Sequence, residues 1–303
     1  MAAVAERTTR PQKKRRGPHE RREARIGLLF VLPCFLLFLA FRFGPGIAGL
    51  VLGFTDYTIG DTTHFTGLQN FQRMMHDPLF WSSLRVTVVY SVLAVPFTIL
   101  ASLGLALLTR RAFRGSRLFR SIFFLPVVTS LILASTVFIW IFSTKGPWSD
   151  LMGLLGLPEQ SWLTDSALVL PAIALVGIWS RCGYGMLILL ARLQDVPREL
   201  EEAALMDGAG PFQRFRYIVA PQLKPAFFFL AVIETTNSFQ IFDAIYVMTG
   251  GGPANASYSL VYQLYDAGFK YSDLGYASAL GCVLFVMTVV VALVQRMVLG
   301  KEK

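Results

Sequence analysis

Apolar residues along the chain fall into long, nearly uncharged runs. They do not follow the short alternation of strands or the one-sided stripes of surface helices. No charge occurs between Val86 and Leu108, for example. A bilayer crossing takes about 20 mostly apolar residues, and six stretches reach that length: 26–54, 84–109, 118–142, 167–193, 225–249 and 274–294. The first is interrupted by Phe43-Gly44-Pro45-Gly46. At about 1.5 Å per residue it is too short to cross twice, so it reads as one long helix bent at the Gly-Pro pair. It is also too long for the core of a signal peptide, and no small-residue cleavage pattern precedes it. The expected fold class is an all-α integral membrane protein with six transmembrane helices. A basic arm over residues 1–25 would precede a single transmembrane domain over residues 26–303.

Composition agrees: 54% of residues are apolar, 16% are charged and the mean hydropathy is +0.54. These values exclude an ordinary soluble enzyme, a disordered protein and a disulfide scaffold. The net charge of +9 changes the picture only through its placement. Nine basic residues sit in the arm, from Arg7 to Arg25, which is too polar to fold alone and is expected to be disordered. They read as a topology determinant with some attraction to anionic lipid, not as a nucleic-acid site. With the arm inside, 22 of the 28 basic residues lie on the inner side, including Arg110, Arg111, Arg114, Arg117 and Arg120. Both termini are therefore expected to be cytoplasmic. The outer loops hold eight carboxylates against four cations, either a solvated rim or a docking surface for a polar partner.

Candidate chemistry is sparse. Cys34, Cys182 and Cys282 lie in separate spans without a C-x-x-C, and His19, His64 and His76 are far apart. Neither a metal site nor a resident cofactor is indicated. The chain has no G-x-x-x-x-G-K-[ST] to hold ATP and no nucleophile elbow. It is not expected to be an enzyme.

Two features carry functional information. The inner loop between the fourth and fifth spans reads as two short helices at a sharp corner. Asp195 and Pro197 suit a helix start, acidic Glu199, Glu201 and Glu202 follow, and Gly208 and Gly210 provide the turn. Such a foot either protrudes or lies on the lipid headgroups. The second feature is polar residues at membrane depth: Arg181 in the fourth span, and Glu234, Asn237, Gln240 and Asp243 in the fifth. Ionisable groups there are rare unless they face a partner or an aqueous cavity. Arg181 and Glu234 fall at similar depth in adjacent antiparallel spans and are expected to pair. Interhelical polar contact and a substrate path remain equal readings for each of these residues.

In the loop, Glu202-Ala203-Ala204, then Asp207-Gly208-Ala209, then Ile218-Val-Ala220-Pro221 resemble the EAA loop of bacterial ABC importer permeases. Ala220 stands where that pattern usually has leucine. Phe242-Asp243 through Gly250-Gly-Gly-Pro253 and Phe65-Thr-Gly67-Leu-Gln-Asn70-Phe71 are similar to the carbohydrate-uptake branch, the maltose-type and glycerol-3-phosphate-type membrane subunits. The resemblance implies a permease in the bacterial inner membrane whose coupling loop (Glu202, Ala203, Ala204, Asp207, Gly208, Ala209, Ile218, Pro221) meets an ABC ATPase dimer. It further implies a second homologous permease and an extracytoplasmic solute-binding protein. Arg181, Tyr184, Glu234, Asn237, Gln240 and Asp243 become the expected substrate path. The expected cargo is a di- or oligosaccharide. The alternatives are glycerol-3-phosphate or a glycerophosphodiester, with Arg42 or Arg181 as the phosphate partner, or an ion-coupled secondary transporter using Glu234 and Asp243.

Overall fold

The computed structural model describes residues 18–60, 62–110, 114–158 and 160–299. Among these residues there is no strand, only two isolated bridges, Thr55 with Phe65 and Thr58 with Asp273. The chain forms two compact units, one ending at Gly49 and the other starting at Leu50.

The first unit is built on α1 (Pro18–Phe38), which passes through a π-helical turn at Leu39–Phe43 into α2 (Gly44–Leu52). This turn stands immediately before the Gly44-Pro45 pair. Pro45 has no N–H, and its ring excludes the carbonyl four residues earlier. One turn of wider register absorbs both effects, with Gly44 N–H donating to the Leu39 carbonyl five residues back. Residues 18–25 of the basic stretch are helical and continue α1, while residues 1–17 lie outside the described residues.

In the second unit α3 (Gln69–His76) leads into α4 (Pro78–Arg110), followed by α5 (Ser116–Val128), α6 (Leu131–Ile141), α7 (Pro147–Leu154) and α8 (Val169–Gln194). After a loop of three short helices, α9 (Arg198–Met206), α10 (Pro211–Arg214) and α11 (Ala220–Gln222), the chain enters α12 (Lys224–Phe239). It ends with α13 (Asp243–Met248), α14 (Leu260–Tyr265) and α15 (Leu274–Leu299). Four stretches, 25–52, 78–110, 169–194 and 274–299, are each long and apolar enough to cross a membrane. Two bent helix pairs bring the number up to six if each pair counts as one crossing.

Lipid tails are as apolar as leucine, so close packing and interhelical hydrogen bonds, more than the hydrophobic effect, hold such a bundle together. The central contact is α4 along α8. Gly185 permits it, since a Cβ there would collide with Ser102 Oγ of α4, while Gly183 admits α5 to α8, since a Cβ there would collide with the Phe123 carbonyl. Ser102 Oγ donates to the Cys182 carbonyl at 3.0 Å. Ser238 Oγ donates to Ser91 Oγ at 2.8 Å and ties α12 to α4, while Gln295 Nε2 donates to Thr235 Oγ1 at 2.8 Å and ties α15 to α12.

Two expected spans do not run straight. The stretch 118–142 folds as α5 and α6, which meet at 101°. Pro126 lies just before this break, and Thr129 and Ser130 are extended. The stretch 225–249 opens between α12 and α13, at residues 240–242. Bare backbone at membrane depth is tolerated only where protein buries it or a cavity solvates it.

Candidate functional site

Both helix breaks face one cavity of about 310 Å³. Thr129 and Leu131 line it from the α5–α6 corner, and Gln240, Ile241 and Phe242 from the opening of α12. Tyr90, Ala94 and Thr98 contribute the α4 wall, and Gly177, Ser180 and Arg181 the α8 wall. Of the residues expected along the path, Arg181, Glu234, Asn237, Gln240 and Asp243 all line this space. Tyr184 does not. Its ring lies 5.5 Å from the Arg181 guanidinium, packed toward the apolar cluster around Met186 and Leu189.

The expected ion pair is present and bidentate. Arg181 Nε donates to Glu234 Oε2 at 2.7 Å and Nη2 to Oε1 at 3.0 Å. Glu234 is 4% exposed and Arg181 33% exposed, so the pair sits in the cavity wall with the guanidinium partly facing the space. On a continuous helix, residues spaced by three drift around the axis. The four polar residues of the fifth span nevertheless meet one cavity, because α12 stops at Phe239 and the chain turns before Asp243 starts α13. Among the described residues Asp243 has no side-chain partner and is exposed to the cavity. The sequence reading missed Tyr90, Thr98, Ser180 and Thr129. Pro126 was the available signal for the α5–α6 corner; nothing local signals the opening at residues 240–242.

The second site is the loop of α9 to α11. Asp195 does not cap α9: it follows the end of α8, with its carboxylate 3.6 Å from Arg192, and Pro197 takes the position before Arg198. Proline suits that position because it has no N–H to lose and its φ is preset. The corner after α9 is a Schellman turn. Ala209 N–H donates to the Ala204 carbonyl at 2.9 Å and Gly208 N–H to the Leu205 carbonyl at 3.0 Å. Gly208 takes φ +80°, the left-handed conformation that closes this turn. Gly210 N–H then donates to Gln213 Oε1 at 2.9 Å, starting α10 at Pro211. A π-helical turn at Phe215–Val219 precedes Pro221, as the one at Leu39–Phe43 precedes Pro45.

Ala204, Asp207, Gly208, Ala209 and Ile218 line a surface hollow of about 350 Å³ in this corner. Glu202 and Ala203 are exposed on α9 outside the hollow, and Pro221 is exposed in α11. Met206, Phe212 and Tyr217 are 73–87% exposed, the most exposed of the large apolar side chains on this loop.

Residues 94–301 match the family model described as the binding-protein-dependent transport system inner membrane component. The chain is 37% identical to the lactose transport system permease protein LacF of Rhizobium radiobacter, over 89% of this chain and 92% of that one. It is 33% identical to the trehalose/maltose transport system permease protein MalF of Thermococcus litoralis, over 88% and 90%. A chain from the crystal structure of a bacterial alginate ABC transporter, in complex with its alginate pentasaccharide-bound periplasmic protein, shares the fold. Its TM-score is 0.78 at 21% identity, covering 92% of this chain and 95% of that one. With helices long and apolar enough to cross a membrane and no P-loop of its own, this chain belongs to the family of inner-membrane permease components of binding-protein-dependent ABC transport systems.

Proposed function

We propose that the chain is one transmembrane subunit of an ATP-driven importer for a neutral di- or oligosaccharide. It would work with a second, related permease, a pair of ATPase subunits and an extracytoplasmic solute-binding protein. The observation that carries this reading is the polar cavity on which two broken helices converge, since unwound backbone at membrane depth supplies hydrogen-bonding groups for a solute. The sugar names of the relatives LacF and MalF point the same way.

The loop of α9 to α11 is the ATPase-coupling element. Glu202 and Asp207 offer polar contacts, Ala203 and Ala204 allow close approach, and Met206, Phe212 and Tyr217 fill a groove on the partner. From this foot the chain bends by 67° into α12, whose far end is the opening at Gln240. Closure of the ATPases on ATP displaces the foot, tilts α12 and moves the cavity between outward and inward access. Shifting such an equilibrium from 1:99 to 99:1 takes about 5.5 kcal/mol of differential affinity, which the nucleotide supplies through the partners.

The cavity chemistry favours a neutral cargo over glycerol-3-phosphate. The Arg181 fork is already filled by Glu234. Diverting it to a phosphate strands a buried carboxylate, at a cost of about 3–5 kcal/mol. Asn237 and Gln240 offer donors and acceptors, Asp243 accepts from hydroxyls, and the Phe242 ring presents an apolar face.

The test is gentle purification of the tagged chain from its own cells, with partners identified by mass spectrometry, followed by uptake in proteoliposomes. An ATPase, a second permease and ATP-dependent uptake of a neutral saccharide are expected. A lone chain that transports without ATP overturns the reading in favour of ion coupling through Asp243. Uptake of glycerol-3-phosphate but no saccharide overturns the choice of cargo.

A further inference from the structure

Arg110 is the last residue of α4, and it reaches the foot. Its Nη1 donates to Glu201 Oε2 at 3.1 Å while its Nη2 donates to Glu201 Oε1, a two-pronged contact across 91 residues of chain. Both side chains are about one-fifth exposed, at 23% and 21%. The helix they hold is otherwise loosely attached. No residue of α9 is fully buried, and Leu200, Leu205 and Met206 point into the open. Among the described residues, no other side-chain hydrogen bond or ion pair ties α9 to a long helix of the bundle. The end of α4, by contrast, is well anchored. The Thr109 carbonyl accepts from Arg120 Nη2 of α5 at 2.9 Å, and Thr109 itself is buried. Three turns and more above this end, α4 supplies Tyr90, Ala94 and Thr98 to the cavity wall.

We propose that Arg110 is a positioning residue for energy coupling: it fixes α9 to the end of α4, so that displacement of the foot reaches the cavity through α4 as well as through α12. The neighbouring acids divide the work. Glu201 faces the bundle and takes the guanidinium, while Glu202, about 100° further round the helix, stays exposed for the partner. A planar guanidinium holds a carboxylate in a fixed plane through two parallel bonds, which an ammonium at the same place cannot do. Without the fork, the Gly208 corner absorbs part of the foot's motion. This inference rests on reading the foot as the ATPase-docking element.

The test uses the assembled importer, with Cys34, Cys182 and Cys282 replaced by serine and Gln240→Cys as a reporter exposed in the cavity. The thiol labelling rate is compared without nucleotide and with ATP plus vanadate, alongside ATP hydrolysis. Arg110→Gln is expected to retain hydrolysis while losing most of the nucleotide-driven change in labelling. Arg110→Lys should fall in between, and the exchanged pair Arg110→Glu with Glu201→Arg should recover the change. A full-sized change in Arg110→Gln overturns the proposal, as does an assembled exchange variant no better than Arg110→Gln. If Arg110→Gln does not assemble, Arg110→Lys decides, and wild-type behaviour there overturns the proposal. Absence of the ATPase from the wild-type assembly would instead overturn the docking reading beneath it.

Discussion

The Arg181–Glu234 pair sets the energetics of the cavity at the level of single residues. Removing either partner leaves a charge in a wall that exposes only 4% of Glu234. Such a loss costs about 3 kcal/mol, the low end of the range for buried pairs because a third of Arg181 is exposed. Arg181→Gln and Glu234→Gln alone should each lower the thermal midpoint of the purified assembly. The double variant, with no charge left unpaired, should recover much of the loss. A thermal double-mutant cycle with additive effects would mean that the two do not act as a pair. Asp243 behaves differently because it has no partner to lose. A hydrogen bond from a sugar hydroxyl to a carboxylate is worth about 1.5–3 kcal/mol. Asp243→Ala should therefore raise the saccharide KM by roughly tenfold or more while leaving the thermal midpoint unchanged. An unchanged KM would place the cargo elsewhere.

Helices and turns explain which features could be read ahead of the structure. The long runs behind α4, α8 and α15 were legible because apolar stretches of that length, interrupted by no more than an isolated charge such as Arg181, have no other stable state in a bilayer. The foot was legible because its turn demands particular residues: Gly208 for positive φ and a proline at each restart. The opening at residues 240–242 was not. Ser238-Phe-Gln-Ile-Phe242 contains no glycine or proline, and tertiary packing around Tyr90 and Ile241 ends the helix there. The same opening explains why polar residues that should drift round a helix share one space. The Arg110–Glu201 contact was invisible for another reason, since nothing local links residues 91 apart. The turn itself can be tested. Gly208→Val forces a β-branched residue into the left-handed region, at a local cost of about 1–2 kcal/mol. The helices of the bundle should keep their stability, while ATPase retained on the purified chain falls several-fold. Undiminished retention would show that the corner is not needed for docking.

On the scale of the whole molecule, the direction in which the chain crosses the membrane decides whether the foot can meet ATP at all. Lysine and arginine near membrane ends favour the cytoplasmic side. The ends of α4 and α8, the foot and the last turn of α15 share that bias through Arg110, Arg192, Arg214, Arg216 and Arg296. The segment between α6 and α7 carries only Lys145. Lys145 and Met206 are both exposed, so they serve as reporters for the two sides. In a background with Cys34, Cys182 and Cys282 replaced by serine, an impermeant thiol reagent should label Lys145→Cys in spheroplasts. Expressed without the ATPase that would cover it, Met206→Cys should react only after permeabilisation. Labelling of Met206→Cys in intact spheroplasts would put the foot outside, away from cytoplasmic nucleotide. No displacement of α9 by an ATPase could then drive the cavity, however well the Schellman turn and the Arg110 fork are built.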